Sequence, residues 1–476
     1  MSYKRMGLLL GPILFLLIHF FFSGEGLSSQ GRDILAVTLW IGVWWILEVL
    51  PIAATALLPI VLFPMLGALG LEETTANYGH KYVFLYMGGF MLAMAIEKWN
   101  LHKRIALHII RAIGTNMYTI VLGFMVATAF LSMWISNTAT AVMVMPMAIS
   151  IVKQLKDNPR TAKDENAVFG KLLMLSIAYS ASIGGIATLI GTPPNLVFAG
   201  FVQKAYGLDI SFWQWMKFGL PISILLLILA WLYLTRIAYP LRQGRFPGGR
   251  EEIHRLIQEL GPMKREEKIV MAVFVLTALC WITRSFLLQK IVPGIDDTII
   301  AIGAALVLFI LPAGKGRKMI KWEEAVQIPW GIILLFGGGM AIASGFETSG
   351  LAIYLGSQMT FFDGLPLLTL ILLVITCINF LTEVTSNLAT TAMMLPVLAP
   401  LAVTLDVDPF VLMVACTTAA SCAFMLPVAT PPNAVVFGSG YLRIPDMVRT
   451  GFLMNLISIL VLAIAVYFLL PLFLKI

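Results

Sequence analysis

Long apolar runs separated by short polar or basic stretches make up nearly the whole of this chain. Apolar runs of about 15 to 37 residues, most of them of the length an α-helix needs to cross a bilayer, fall at 6–24, 33–50, 52–68, 83–100, 166–202, 211–236, 267–290, 298–312, 329–354, 409–440 and 449–474. They predict an all-α polytopic membrane protein with about eleven transmembrane helices. Two further apolar stretches, 117–152 and 364–403, each carry a Ser-Asn pair near the middle, and reading them as re-entrant hairpins keeps the charge pattern consistent. The hairpins are expected over 117–155 and 364–403.

Charge then orients the drawing. Basic clusters at Lys4-Arg5, Lys98 to Arg111, Lys153 to Lys171, Arg236 to Lys268 and Lys315 to Lys321 all fall on one side, which the positive-inside rule makes cytoplasmic. The N-terminus is then cytoplasmic and the C-terminus outside. Lys4-Arg5 followed by Met6 to Phe22 has the outline of a signal peptide, but the run is long enough to span and no Ala-x-Ala-like site closes it, so a retained first helix over 1–30 is expected. Repeat 1 is placed at 31–245, a cytoplasmic surface helix and linker at 246–265, and repeat 2 at 266–476. Within the linker, Ile253, Leu256, Ile257 and Leu260 recur at helical spacing, which suits a helix on the membrane surface or a solvated linker helix.

Composition agrees with the runs and changes little else: 59% of residues are hydrophobic, 12% are charged, and the mean hydropathy is +0.91. The formal charge of +7 lies in loop clusters and is no nucleic-acid signature. Cys280, Cys377, Cys416 and Cys422 lie in apolar spans without metal or disulfide spacing and read as packing residues.

Four elements recur in order. Met87-Gly88-Gly89-Phe90-Met91 matches Phe336-Gly337-Gly338-Gly339-Met340 at an offset of 249, and Ser136-Asn137-Thr138 matches Ser386-Asn387-Leu388 at 250. Gly191-Thr192-Pro193-Pro194-Asn195 matches Ala429-Thr430-Pro431-Pro432-Asn433 at 238. The Thr-Pro-Pro elements predict broken helices over 166–202 and 409–440, since proline removes an amide donor and clashes with the preceding turn. An odd number of crossings per repeat inverts the second half, and two inverted halves meeting at mid-membrane make a site that opens alternately to each side. Singly, a Ser-Asn-Thr is an ordinary helix cap and a Thr-Pro-Pro an ordinary kink; the ordered duplication favours a binding site.

Unwound carbonyls and helix C-terminal ends suit a cation, while N-terminal ends with Asn and Thr donors suit a carboxylate or other oxyanion. Segments 114–152, 172–203 and 409–441 contain no Lys, Arg, Asp, Glu or His, so a carried anion needs helix ends and co-bound cations to balance it. Sodium is the natural cation. Glu383 and Glu48 are the apolar-flanked acids nearby; both read equally as caps or ion-pair members at helix ends and stay outside the site.

At these residues the chain resembles the divalent anion/sodium symporter family, most closely its bacterial sodium-coupled dicarboxylate transporters. The resemblance covers nearly the whole chain and is carried by Leu131 to Thr140, Ser182 to Pro194, Phe336 to Gly339 and Ser421 to Asn433. It implies a homodimer in the inner membrane whose protomers each have a scaffold and a moving transport (elevator) part. One sodium site would use Ser132, Ser136, Asn137 and Gly191, the other Thr382, Thr385, Asn387 and Ala429. Substrate carboxylates would meet Asn137, Thr138, Asn387, Leu388, Thr430 and Pro431. Leu388 departs from the hydroxyl residue common there, and Thr385 from a small residue. The function implied is sodium-coupled uptake of C4 dicarboxylates such as succinate, fumarate or malate, without a cofactor. Dicarboxylate exchange and sulfate or tricarboxylate transport are alternatives on the same scaffold, and an anion channel is one from another class. An enzyme is not expected: Gly314-Lys315 lacks the remainder of a phosphate loop, and His102 and His108 lack a metalloprotease glutamate.

Overall fold

A computed structural model describes residues 3–114, 116–156, 163–241, 249–314, 317–359, 362 and 364–473. Arg160, the start of the expected linker up to 248, Lys315 and the end of the last expected span lie outside these residues. Among the described residues the secondary structure is helical apart from one isolated bridge between Pro312 and Lys318. Among the described residues seven helices are long and apolar enough to cross a bilayer. The chain is a multi-pass membrane protein.

The same order of elements appears twice. Ser29–Ile46, Ile52–Thr55 with Leu58–Met65, and Lys81–Lys98 are followed by the hairpin Met117–Ser132 and Asn137–Lys156, the broken pair Lys163–Ile186 and Pro193–Tyr206, and Phe212–Leu232. Arg265–Thr283, Asp297–Ile310 and Trp330–Thr348 precede the hairpin Leu367–Thr382 and Asn387–Thr404, the broken pair Pro409–Ala420 and Pro431–Phe437, and Ile444–Phe468. Tyr3–Phe21 stands outside the repeat and packs along Ser29–Ile46, where Gly11 leaves room for Trp40 and Trp44. Asn387–Thr404 is long and apolar enough to cross, and the chain reverses just before it at 383–386, with a 2.7 Å bond from Thr382 Oγ1 to Asn387 Oδ1 across the turn.

Helix ends follow local chemistry. Capping boxes formed by Asn116 with Thr119 and by Ser211 with Gln214 start the first hairpin and the following span. Asp408 and Thr430 cap the two halves of the second broken helix. Two expected boundaries move. The run 329–354 is two helices, because Gly350 takes a left-handed φ of 75° and stops the first at Thr348. The last span begins at Ile444 rather than 449: Arg443 and Asp446 form a capping box, so charged residues that looked like loop are a helix start. The glycine-rich stretches at 87–91 and 336–340 are helix interiors.

Those glycines explain how the halves interlock. A Cβ on Gly88 would stand 2.7 Å from the Ala301 carbonyl carbon, and one on Gly338 would stand 2.6 Å from the Ala56 oxygen. Helix Lys81–Lys98 of the first half therefore lies against Asp297–Ile310 of the second, while Trp330–Thr348 of the second lies against the Ile52–Thr55 region of the first. The hairpins cross in the same way, Asn137–Lys156 packing on Pro431–Phe437 and Asn387–Thr404 on Pro193–Tyr206.

Gly249–Leu260 does not present its apolar stripe to open surroundings. Ile253 is buried, and the helix packs on Leu101–Ile113 with Glu252 accepting from Ser150 Oγ at 2.6 Å. Among the cysteines, Cys416 and Cys422 are buried, Cys280 is half-buried and Cys377 is exposed, so the packing role holds for the first two and not for Cys377.

Candidate functional site

Each hairpin reversal places an asparagine in the first turn of its return arm and lays it against the broken helix of its own repeat. In the first repeat, Ser132 Oγ donates to the Ala181 carbonyl at 2.7 Å. The Asn137 amide position nearest Ser132 faces only oxygens: Ser132 Oγ at 2.5 Å and the carbonyls of Gly191 and Ala181 at 3.2 Å each. An amide nitrogen turned inward satisfies these acceptors, and so does a cation held among them. Gly185 is required beside it, since a Cβ there would sit 2.7 Å from the Asn137 side chain.

The second repeat reproduces the arrangement with Thr in place of Ser. Thr382 Oγ1 lies 2.7 Å from Asn387 Oδ1 and 3.1 Å from the Ala420 carbonyl. The breaks themselves are built alike. Gly191 N–H donates to Thr188 O and Ala429 N–H to Leu426 O, closing matched turns just before Thr192 and Thr430. Asn195 Nδ2 then donates to Thr188 O at 2.7 Å and Gly185 O at 3.2 Å, while Asn433 Nδ2 donates to Leu426 O at 3.0 Å and Ala423 O at 3.3 Å. These buried asparagines satisfy carbonyls that unwinding would orphan. Both half-helices that follow begin with proline, whose missing amide costs nothing at that position.

The structure thus brings Ser132, Asn137 and Gly191 together, and Thr382 with Asn387. It records no hydrogen bond between Ala429 and Asn387. Ser136 Oγ accepts from Ala139 N–H and caps its arm, which leaves it a lone pair for a cation, while Thr385 Oγ1 bonds Leu381 O and Thr390 Oγ1, so its carbonyl is the better ligand. Thr138 and Pro431 are exposed and available to a ligand, whereas Thr430 is buried and its Oγ1 caps Asn433 N–H. Leu388, 5% exposed, is packed in the apolar core and does not face out as its counterpart Thr138 does. An apolar side chain gains by turning into the protein where a hydroxyl stays at the surface.

Comparison with known proteins closes the question of kinship. Residues 3–474 match the family described as the sodium:sulfate symporter transmembrane region. The chain belongs to this family. It is 46% identical over 475 residues to the sodium-dependent dicarboxylate transporter SdcS of Staphylococcus saprophyticus, covering 98% of this chain and 92% of that one. It is 46% identical over 480 residues to SdcS of Staphylococcus aureus, covering 99% and 92%. Two solved structures share its fold at low identity. MtrF of Neisseria gonorrhoeae is 14% identical with a TM-score of 0.58, covering 98% of this chain and 94% of that one. YdaH of Alcanivorax borkumensis is 15% identical with a TM-score of 0.59, covering 90% and 97%.

Within this symporter-family member, sequence reasoning left out Glu383. Its carboxylate is buried and accepts from the backbone N–H groups of Phe424, Met425 and Leu426 and from Asn455 Nδ2. Three residues before Ser386 in an apolar run, it carried a signal, but only the fold shows that it reaches across to the other helix. Glu48 does not cap: it is exposed, in a left-handed turn at φ 44°. Among the described residues no cluster of His, Cys, Asp or Glu could hold a metal ion. His102 is buried with Nδ1 against Ile96 O.

Proposed function

We propose that this protein carries C4 dicarboxylates such as succinate, fumarate or malate into the cell together with sodium. The observation that carries the reading is the doubled constellation of hydroxyl, asparagine amide and unwound carbonyls in a region without a cationic side chain. Clustered neutral oxygens suit a small hard cation, and the charge of a bound dianion in such surroundings is balanced by co-bound cations and helix N-termini. Sodium binding first would order Asn137 and Asn387, which then face both the cations and the substrate carboxylates. The names of the staphylococcal relatives support sodium and dicarboxylate as the pair.

The hairpins and broken helices form the part that moves, by an elevator displacement, against a scaffold that includes Ser29–Ile46, Lys81–Lys98, Asp297–Ile310 and Trp330–Thr348. The protein works as a homodimer in the inner membrane, N-terminus cytoplasmic and C-terminus outside. The buried Leu388 favours a second reading in detail. A substrate oxygen without a hydroxyl partner at this position loses a bond worth about 1.5 to 3 kcal/mol if charged, which shifts affinity or the preferred anion and leaves room for exchange in place of symport.

Radiolabelled succinate uptake into proteoliposomes tests this, with an inward sodium gradient set against a matched potassium gradient. Saturable, sodium-dependent accumulation is expected, with competition by malate stronger than by citrate or sulfate. Asn137→Ala and Asn387→Ala should each raise the half-saturating concentrations of both sodium and succinate by about tenfold, the loss of one charge-assisted bond. Normal sodium-dependent uptake by both variants would remove the assignment, and counterflow without sodium would make the protein an exchanger.

A further inference from the structure

The two breaks are built on one plan but braced by different chemistry. In the first repeat every brace is neutral: Trp215 Nε1 donates to Ile186 O at 2.9 Å, Ser223 Oγ donates to Ile183 O at 2.9 Å, and Asn195 holds the carbonyls that follow. The position matching Glu383 at the hairpin offset of 250 is Met133, which contributes only its carbonyl, to Thr188 Oγ1 at 2.5 Å. In the second repeat the unwound stretch is longer, running from Ser421 to Thr430 where the first runs from Ala187 to Thr192.

There, Glu383 is 3% exposed and reaches from the hairpin reversal to three successive amides, Phe424 N–H at 2.8 Å and Met425 and Leu426 N–H at 3.0 Å each. Asn455, on Ile444–Phe468, donates to the same carboxylate at 2.7 Å, and its Oδ1 accepts from Phe424 N–H at 3.2 Å. Ser223 of the first repeat stands in the matching place: Gly219 and Gly451, each four residues earlier, make matched close approaches to Ile186 O and Phe424 O. Every group recorded on the Glu383 oxygens is a donor, the pattern of an ionised carboxylate, which only accepts. A carboxylate on the residue after Thr382 therefore braces one half-site, and Met133, at the matching position of the other, brings none.

We infer that Glu383 is a positioning residue that holds the unwound backbone of the second half-site and sets a negative charge beside its cation, so that the two sodium half-sites are inequivalent. Resting on the sodium-coupled reading above, this assigns tighter sodium binding to the half-site of Thr382 and Asn387. A unit charge close to a bound cation in surroundings of intermediate dielectric changes its affinity by about tenfold or more.

The test is thermal unfolding of the purified full-length protein, titrated with sodium against potassium at constant ionic strength, alongside succinate uptake at saturating sodium. Glu383→Gln is expected to raise the sodium concentration for half the stabilisation by about tenfold, a larger change than it makes in the succinate KM at saturating sodium. Glu383→Asp, which keeps the charge, recovers most of the sodium response. Asn455→Leu cuts the same brace from the other helix and weakens the sodium response in the same direction, which carries the test if Glu383→Gln does not fold. Ser223→Ala, the matched change in the first repeat, has the smaller effect. Sodium curves that stay within about twofold of wild type in both Glu383→Gln and Asn455→Leu, with only the melting temperature in potassium lowered, would reduce Glu383 to a structural brace and overturn the assignment. A wild-type protein that sodium does not stabilise beyond potassium would instead overturn the sodium-coupled reading beneath it.

Discussion

Asn137 and Asn387 show how much can depend on one amide. Each is the first residue of a return arm, so its side chain is aimed by the helix behind it while its neighbours in the broken helix supply oxygens. The position after each asparagine separates the halves: Thr138 faces out and Leu388 packs inward. Leu388→Thr should therefore lower the half-saturating succinate concentration severalfold and cost about 1 kcal/mol in stability, because the hydroxyl turns out to the surface and the buried leucine contacts are lost; uptake kinetics and melting temperature measure the two effects separately. His102 offers a test away from the site. Burial pushes its imidazole down to about 4, so the folded protein binds fewer protons than the unfolded chain between roughly that value and the ordinary histidine range. Stability should fall as pH drops through this window, by about 2 kcal/mol at pH 5, and His102→Gln should remove most of that loss in melting curves recorded against pH.

At the scale of elements, close approach decides the architecture. Gly88 and Gly338 sit in matched helices and face Ala301 and Ala56 of the opposite half, so no side chain fits at either. Gly88→Ala and Gly338→Ala should each destabilise by about 1–3 kcal/mol through overpacking against backbone. Gly303→Ala, in a neighbouring helix where a Cβ meets nothing within 4 Å, should be neutral or slightly stabilising. Equal gains in all three would mean that helix propensity rather than packing controls these positions. The broken helices obey the same logic in polar form: Asn195 and Asn433 each tie back carbonyls that a continuous helix would have paired, so unwinding is built in rather than imposed by ligand.

For the whole molecule, the crosswise pairing of halves joins each hairpin to the other repeat's half-helix and each glycine-bearing helix to the other repeat's earlier span. Under the elevator reading, Ser29–Ile46 belongs to the scaffold and Asn387–Thr404 to the moving part, and Gly42 meets Met393 across that boundary, with a Cβ there 3.2 Å from its sulfur. Cysteines at positions 42 and 393, in a background without the four native cysteines, should cross-link and stop succinate uptake, with uptake returning on reduction. Full uptake by the cross-linked protein would rule out relative movement of these two helices.

Much of this was legible in the chain itself, because a bilayer leaves few choices. Runs of spanning length, loop charges and a motif order repeated at near-constant offset specify membrane helices, hairpins and breaks, since lipid tolerates no unpaired backbone and proline cannot continue a helix. The pairings Ser132 with Asn137 and Thr382 with Asn387 lie within five residues of sequence and follow from one hairpin turn. What lay beyond the sequence depends on contacts between distant segments. Leu388 turned inward because apolar volume was available there, Gly88 and Gly338 became helix contacts because another backbone arrived beside them, and the last helix began early because its first charges cap it. Glu383 is the clearest case. An acid in an apolar run reads equally as a cap, a pair or a relay, and only the fold brings Phe424, Met425, Leu426 and Asn455 to it from 41 to 72 residues away, because a buried carboxylate is stable only where the chain supplies enough donors.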